Sequence, residues 1–144
     1  MSIIGNWYNE LGSQIDLNVD HNGHITGHYW TAVGDATGRY PVVGWAERVT
    51  GQTGSTALGW AVLWLNAARN SHSVTTWSGQ YQIVNGEEKI LALWLLTTET
   101  NPGDDWKSTL VGADVFQRAQ PHAAQIALRQ AQGPASHPPA LPSE

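Results

Sequence analysis

Seven polar side chains are spaced so that they could serve one ligand: Asn9, Ser13, Tyr29, Thr31, Ser73, Thr75 and Asp114. All but Ser13, which sits at a strand edge, lie in segments where residues alternate with a period of two, so that i and i+2 share a face. Asn9 is in step with Trp7 and Leu11, Ser73 and Thr75 with Trp77, and Asp114 with Leu110 and Phe116. Buried polar groups need partners, and a buried carboxylate needs them most. Either these groups satisfy one another as a structural network, or they meet a polar ligand sandwiched by indoles. Seven of them converging on a tryptophan-lined cavity favours the ligand. It would be small and mostly apolar, with a compact head. Asn9, Ser13 and Tyr29 would donate to one oxygen of that head, and Thr31 and Asp114 would accept from its N–H groups. A carboxylate at the end of such a chain polarises every bond in it.

Catalytic arrangements are not found. Asp114 and Glu10 do not share a face, so no carboxylate pair is formed. His21, His24 and His28 cluster near a turn, but His24 and His28 are four apart on a strand rather than a helix. His72 is expected alone in a loop. Gly54-Ser55-Thr56 lacks the glycine pattern of a nucleophile elbow, and Gly51-Gln52-Thr53-Gly54 is too short for a phosphate loop and precedes a strand. With no cysteine in the chain, disulfides, thiolate metal sites and thiol nucleophiles are excluded together.

The elements that must position these residues read as all β. Strands are expected near 5–11, 14–20, 25–32, 39–49, 56–66, 73–84, 88–98 and 106–118, separated by turn residues. Asn-Gly, a strong hairpin signal, occurs at Asn22-Gly23 and Asn85-Gly86. Eight consecutive strands with hairpin-length loops predict an antiparallel up-and-down β-barrel; a two-sheet sandwich is the alternative. The inner face would carry Trp7, Asn9 and Leu11; Gly27, Tyr29 and Thr31; and Leu58, Trp60, Val62 and Trp64. It continues with Ser73, Thr75 and Trp77; Ile90, Ala92, Trp94 and Leu96; and Leu110, Gly112, Asp114 and Phe116. The opposite face of the last strands is also apolar, with Ala61, Leu63, Leu65, Leu91, Leu93, Leu95, Val111, Ala113 and Val115. A monomeric barrel would be polar there, so self-association is expected.

The 144 residues suit one domain, residues 1–118, followed by a tail, 119–144, rich in Ala, Gln and Pro. Residues 122–132 have the composition of a short helix, and Gly133 onward reads as mobile and extended. Eight tryptophans against one phenylalanine indicate a surface built to grip a ligand. A net charge of −5 with seven thinly spread basic residues argues against nucleic acid. No apolar run is long enough to span a membrane as a helix. No signal peptide is visible, which suits either an intracellular protein or the mature part of a secreted one.

Four stretches resemble bacterial members of the avidin family. They are Gly5-Asn6-Trp7-Tyr8-Asn9-Glu10-Leu11-Gly12-Ser13, Thr56-Ala57-Leu58-Gly59-Trp60, the run from Arg69 to Tyr81, and Trp106-Lys107-Ser108-Thr109-Leu110-Val111-Gly112. The resemblance covers residues 4–118, in order and with nearly unchanged spacing. It implies an eight-stranded barrel that binds biotin with high affinity as a secreted homotetramer, or a dimer, without catalysis or cofactor. By position, Asn9, Ser13 and Tyr29 would surround the ureido oxygen, and Thr31 and Asp114 would take the ureido N–H groups. Asn9 would also bond Asp114, and Thr75 would face the ring sulfur. Trp64, Trp77, Trp94 and Leu96, with Leu11, would line the bicyclic ring and the valeryl chain. Ser73 and the Asp35 N–H would hold the carboxylate, within a closing loop Val33-Gly34-Asp35. Tyr40 matches a position near the site, and Trp106 would complete a neighbouring subunit's pocket.

Some residues depart from the family pattern. Asp35 replaces an amide; pointing inward, it would repel the ligand's carboxylate and favour a different small apolar ligand. Thr31 replaces a serine and keeps the hydroxyl, Ser71 replaces an alanine at the rim, and Ala113 replaces a histidine at a subunit-facing position. Trp30 and Trp45 are additional. The lack of cysteines and the presence of Trp106 argue against the disulfide-bearing dimeric members. Tails of some bacterial members enter a neighbouring site as an internal pseudo-ligand, and residues 134–144 are a candidate for that role.

Overall fold

A computed structural model describes residues 3–31, 38–47, 54–65 and 70–138, without the side chains of residues 70–71. Eight strands form a closed barrel in chain order: β1 (Gly5–Tyr8), β2 (Gln14–Val19), β3 (His24–Trp30), β4 (Arg39–Ala46), β5 (Thr56–Leu65), β6 (Asn70–Val84), β7 (Glu87–Thr98) and β8 (Thr109–Gln117). Each pairs antiparallel with the next, so the up-and-down barrel holds and the sandwich does not. Closure rests on a short seam in which Tyr8 of β1 faces Gln117 of β8. Nearby, the Val115 amide donates to Glu10 Oε1 at 3.1 Å, which explains why Glu10 stays outside the cavity. Asn85 and Gly86 both take positive φ, 52° and 81°, as the tight β6–β7 hairpin requires.

Period-two alternation sorts the two faces as expected, except that Leu110, expected inside, is 43% exposed where β8 reaches the mouth. Trp7, Trp60, Trp64, Trp77 and Trp94 are all buried, with Phe116 closing edge-on against Trp60. Trp60 and Trp77 stack at 5.6 Å. Gly112 is required beside Trp94: a Cβ there would lie 2.3 Å from the indole ring. The outer face exposes Leu63, Leu65, Leu91, Leu93, Leu95 and Val111.

Three expectations change. The eighth strand does not begin at 106, because Pro102–Lys107 forms a 3₁₀ turn. Proline opens it with φ already suited to a helical turn, and the Asp104 amide donates to the Asn101 carbonyl. Trp106 rides on that turn, 81% exposed. His72 is not alone: it lies in β6 at φ 46°, with Nδ1 3.2 Å from Glu99 Oε2. After β8 the chain forms helix α1 (Ala123–Gln130), close to the expected helix, but the segment beyond it up to Pro138 packs rather than trailing into solvent.

The barrel end that carries the β6–β7 hairpin is plugged by side chains. The Arg118 guanidinium sits 3.7 Å over the Trp7 ring and donates to Glu88 at 3.1 Å. It also reaches the Ile4 and Asn6 carbonyls. Tyr81 donates to the other Glu88 oxygen, and Trp7 Nε1 donates to the Ile3 carbonyl. The opposite end, where the β1–β2, β3–β4, β5–β6 and β7–β8 connections gather, holds the polar cluster.

Candidate functional site

Asn9 builds the first wall. Its side-chain oxygen accepts from the amides of Leu11 and Ser13, at 3.0 and 2.9 Å, fixing the turn that leaves β1. Its Nδ2 therefore faces inward and donates to the Tyr29 hydroxyl at 3.3 Å. This replaces the expected bond between Asn9 and Asp114. Tyr29, fully buried, also has a hydrogen bond with the Ser13 side chain. Burial pushes the phenol well above its ordinary range, and the Asp114 carboxylate adds to that shift. Tyr29 is thus a fixed neutral donor.

Asp114 enters from β8, 2% exposed, and its Oδ2 accepts the Trp77 indole N–H at 2.9 Å. Burial raises its pKa, while the Trp77 and Ser136 bonds and the charge of Arg129 pull it back. Such a carboxylate gains from any further N–H donor that arrives dry. On β5 and β6, Trp64 donates to Thr75 Oγ1 at 2.7 Å. The Tyr29 ring lies 5.4 Å from both Trp64 and Trp77, and Tyr40 packs edge-on to Trp64 at 5.0 Å. Ser73, Leu11, Leu96 and Trp94 are buried. Thr31 is half-buried. Thr31 and Ser73 both carry partners of their own.

The structure brings together Asn9, Ser13, Tyr29, Trp64, Thr75, Trp77 and Asp114. It does not bring Trp106 in, since that residue points away on the 3₁₀ turn. Val33, Gly34 and Asp35 lie outside the described residues, and so does the side chain of Ser71.

Two residues of the 134–144 segment, a candidate by resemblance for a neighbouring subunit's site, lie instead in this chain's own barrel. Ser136 is fully buried and His137 is 6% exposed. Thr75 Oγ1 donates to the Ser136 carbonyl at 2.5 Å. The Ser136 hydroxyl is 3.5 Å from the Tyr29 hydroxyl and bonds Asp114. The His137 ring stands edge-on to Trp64 at 6.4 Å. Arg129 at the end of α1 donates to the Gly133 and Pro134 carbonyls, at 3.3 and 3.0 Å, and so shapes the approach. A cavity of about 250 Å³ remains at the mouth, between Leu11 and Leu110 on one side and Pro134, Ala135 and His137 on the other. The only local signal for this segment is Gly133-Pro134 after an Ala/Gln-rich stretch. That signal ends a helix without saying where the chain goes next.

The avidin family model matches residues 1–119. The chain is 37% identical over 123 residues to avidin of Gallus gallus, covering 81% of this chain and 78% of that protein. It is 36% identical over 123 residues to avidin-related protein 4/5 of Gallus gallus, covering 81% of this chain and 77% of that one. It is also 31% identical over 119 residues to fibropellin-1 of Strongylocentrotus purpuratus, covering 79% of this chain but only 10% of that longer protein. With the closed eight-stranded barrel and its indole-lined polar end, these matches establish that the chain belongs to the avidin family, a family of binding proteins rather than enzymes.

Proposed function

We propose that this protein binds biotin non-covalently, one molecule per barrel, at the Trp64–Trp77 end. The observation that carries this reading is the buried Asp114 carboxylate held by the Trp77 indole, beside a hydrogen-bonded Asn9–Tyr29 pair between tryptophan rings. A cyclic urea presents one strong acceptor flanked by two N–H donors. Tyr29, Ser13 and Asn9 are the donors available to its oxygen, while Asp114 and Thr31 accept from its N–H groups. Thr75 faces the ring sulfur, and Trp64, Trp77, Trp94, Leu96 and Leu11 supply the apolar walls. By resemblance, Ser73 and Val33, Gly34 and Asp35 would receive the carboxylate, with Ser71 at the rim and Tyr40 packed against Trp64. The Asn9 and Trp77 groups are held by bonds within the barrel, so little ordering of the barrel itself opposes binding.

The assembly we infer is a secreted homotetramer. Its support is the exposed apolar face of β5, β7 and β8 together with Trp106, a large indole left 81% exposed on its 3₁₀ turn. Titration with biotin followed by tryptophan fluorescence tests the ligand. A sharp break near one biotin per chain is expected, and an unchanged spectrum at saturating biotin contradicts it. Sedimentation tests the assembly, with a mass four times that of the chain as the expected result.

A further inference from the structure

The barrel closes over one bridge between strands, Tyr8 with Gln117, and side chains carry the seam beyond it in both directions. Toward the plugged end, the Arg118 guanidinium at the end of β8 donates to the Ile4 and Asn6 carbonyls beside it on the β1 side. Toward the mouth the roles reverse. Glu10, two residues past β1, sends Oε1 back to accept the Val115 amide of β8 at 3.1 Å. The backbone has already left the ladder there. Asn9 to Ser13 form a turn in which the Asn9 amide donates to the Ser13 carbonyl and the Gly12 amide to the Asn9 carbonyl, each at 3.0 Å. The Glu10 carboxylate thus stands in for the strand carbonyl that would have met Val115.

What this bond ties together are the residues on either side of the proposed ligand head. Asn9, next to Glu10, donates to Tyr29. Asp114, next to Val115, takes the Trp77 indole N–H. Successive residues of an extended chain face opposite ways, so Asn9 and Asp114 are buried while Glu10 and Val115 lie behind them. The Glu10–Val115 bond is a strap behind the site, and it sets the gap between the Asn9–Tyr29 donors and the Asp114 acceptor. It also carries a second negative charge, which adds to the burial that raises the pKa of Asp114. The other groups around that carboxylate are Tyr29 on β3, Trp77 on β6, Arg129 on α1, and Ser136 and His137 beyond it. On its far side Glu10 borders a 220 Å³ cleft with Gln117, Gln125 and Arg129, which leaves space for a side-chain amide.

We propose that Glu10 is a positioning residue of the binding site: by holding the Val115 amide it keeps Asp114 at the separation from Asn9 and Tyr29 that one compact ligand head bridges. The proposal rests on the biotin reading for the identity of that head, while the strap itself is independent of it. A binding constellation works only while the residues behind it hold its members within about 0.5 Å of the bound geometry. Loosening them shows mainly in how fast the ligand leaves.

The test follows release of labelled biotin into excess unlabelled biotin from the full chain. Glu10→Ala cuts the strap and is expected to release biotin about tenfold faster at neutral pH, the effect of losing one hydrogen bond. Glu10→Gln keeps an oxygen for the Val115 amide and should release at the unsubstituted rate. Arg118→Met cuts the seam at the plugged end and should leave the rate unchanged while lowering stability. The pH profile separates charge from bond. Asp114 accepts an N–H only as a carboxylate, so release quickens as pH falls through its pKa. Without the Glu10 charge that pKa is lower, so Glu10→Gln should quicken at a lower pH than the unsubstituted chain. A further readout needs no biotin: the NMR signal of the Trp77 indole proton, assigned with Trp77→Phe, reports the bond to Asp114. It should move in Glu10→Ala and stay in place in Glu10→Gln.

Three results overturn the proposal while leaving biotin binding intact: Glu10→Ala releasing at the unsubstituted rate, Glu10→Gln releasing as fast as Glu10→Ala, or Arg118→Met doing so. If no chain binds biotin yet the Trp77 proton moves in Glu10→Ala alone, the biotin reading fails and the strap stands. If that proton does not move in Glu10→Ala, the strap is overturned whatever biotin does.

Discussion

At one end of the barrel, Arg118 lies over Trp7 and bonds Glu88 and two backbone carbonyls. At the other end, Ser136 bonds Thr75, Tyr29 and Asp114 and the His137 ring packs against Trp64, beside a cavity of about 250 Å³. The first closure is made by groups next to the strands they seal, with Arg118 one residue beyond β8. The second is made by a peptide beyond a separate helix. A fold can thus close a barrel permanently at one end and provisionally at the other, and the provisional end is where a ligand can enter. The polar groups of that end are expensive to leave dry and unpaired, so something must meet them, whether peptide, water or ligand.

The contrast can be broken most sharply at the permanent end. Trp7→Ala removes a fully buried indole and is expected to cost about 3–5 kcal/mol in denaturant unfolding. Arg118→Met keeps an unbranched side chain but removes the guanidinium that lies over Trp7. It is expected to cost about 1 kcal/mol, since Glu88 and the two carbonyls lose their donor but stay within reach of water. The Arg118 guanidinium also holds the Glu88 carboxyl below its ordinary pKa of 4.5. Glu88 therefore contributes stability that is present above pH 4.5 and lost as pH falls through the lowered value, and Arg118→Met should flatten that acid limb.

At the provisional end the effects on the barrel itself are smaller. Ser136→Glu should lower unfolding stability by the free energy of seating the tail, about 1.4 kcal/mol for a tenfold docking equilibrium and less than Trp7→Ala, because no strand ladder includes the tail. The last effect is on pH. Burial lowers the pKa of His137 from 6.5, outweighing the Pro138 carbonyl and the Asp114 charge, which raise it. The docked tail then binds fewer protons than the released one. Docking is at full strength above pH 6.5 and weakens progressively as pH falls toward the lowered value. Trypsin cleavage after Arg129 in the unsubstituted chain, scaled to a control peptide at each pH, should quicken below that point. His137→Phe, which keeps the ring and drops the proton, should remove the dependence.

Much of the barrel was legible because strand alternation is local: Trp60, Trp64 and Trp77 sort inward by position alone, and Asn85-Gly86 names its own turn. The polar cluster followed from the same parity. Bond partners did not. The Asn9 amide serves Tyr29 rather than Asp114 because its oxygen is committed to the Leu11 and Ser13 amides, a detail set by turn geometry. The start of β8 was missed because Trp106 and Lys107 look like strand residues, while Pro102 starts a helical turn before them. The tail was legible only through the resemblance, which made residues 134–144 a candidate for a neighbouring site and not for this barrel. Ser136 meets Thr75 across 61 positions and Tyr29 across 107, and nothing in an Ala/Gln/Pro-rich stretch encodes a contact that remote.

The most direct test of the account is a crystal structure of the full chain grown with saturating biotin. The account predicts biotin between Trp64 and Trp77, its ureido head on Asn9, Tyr29 and Asp114, with Ser136 and His137 withdrawn from the mouth. Biotin bound elsewhere, or Ser136 still on Thr75 with biotin in the barrel, would contradict the claim that ligand and tail share one set of atoms.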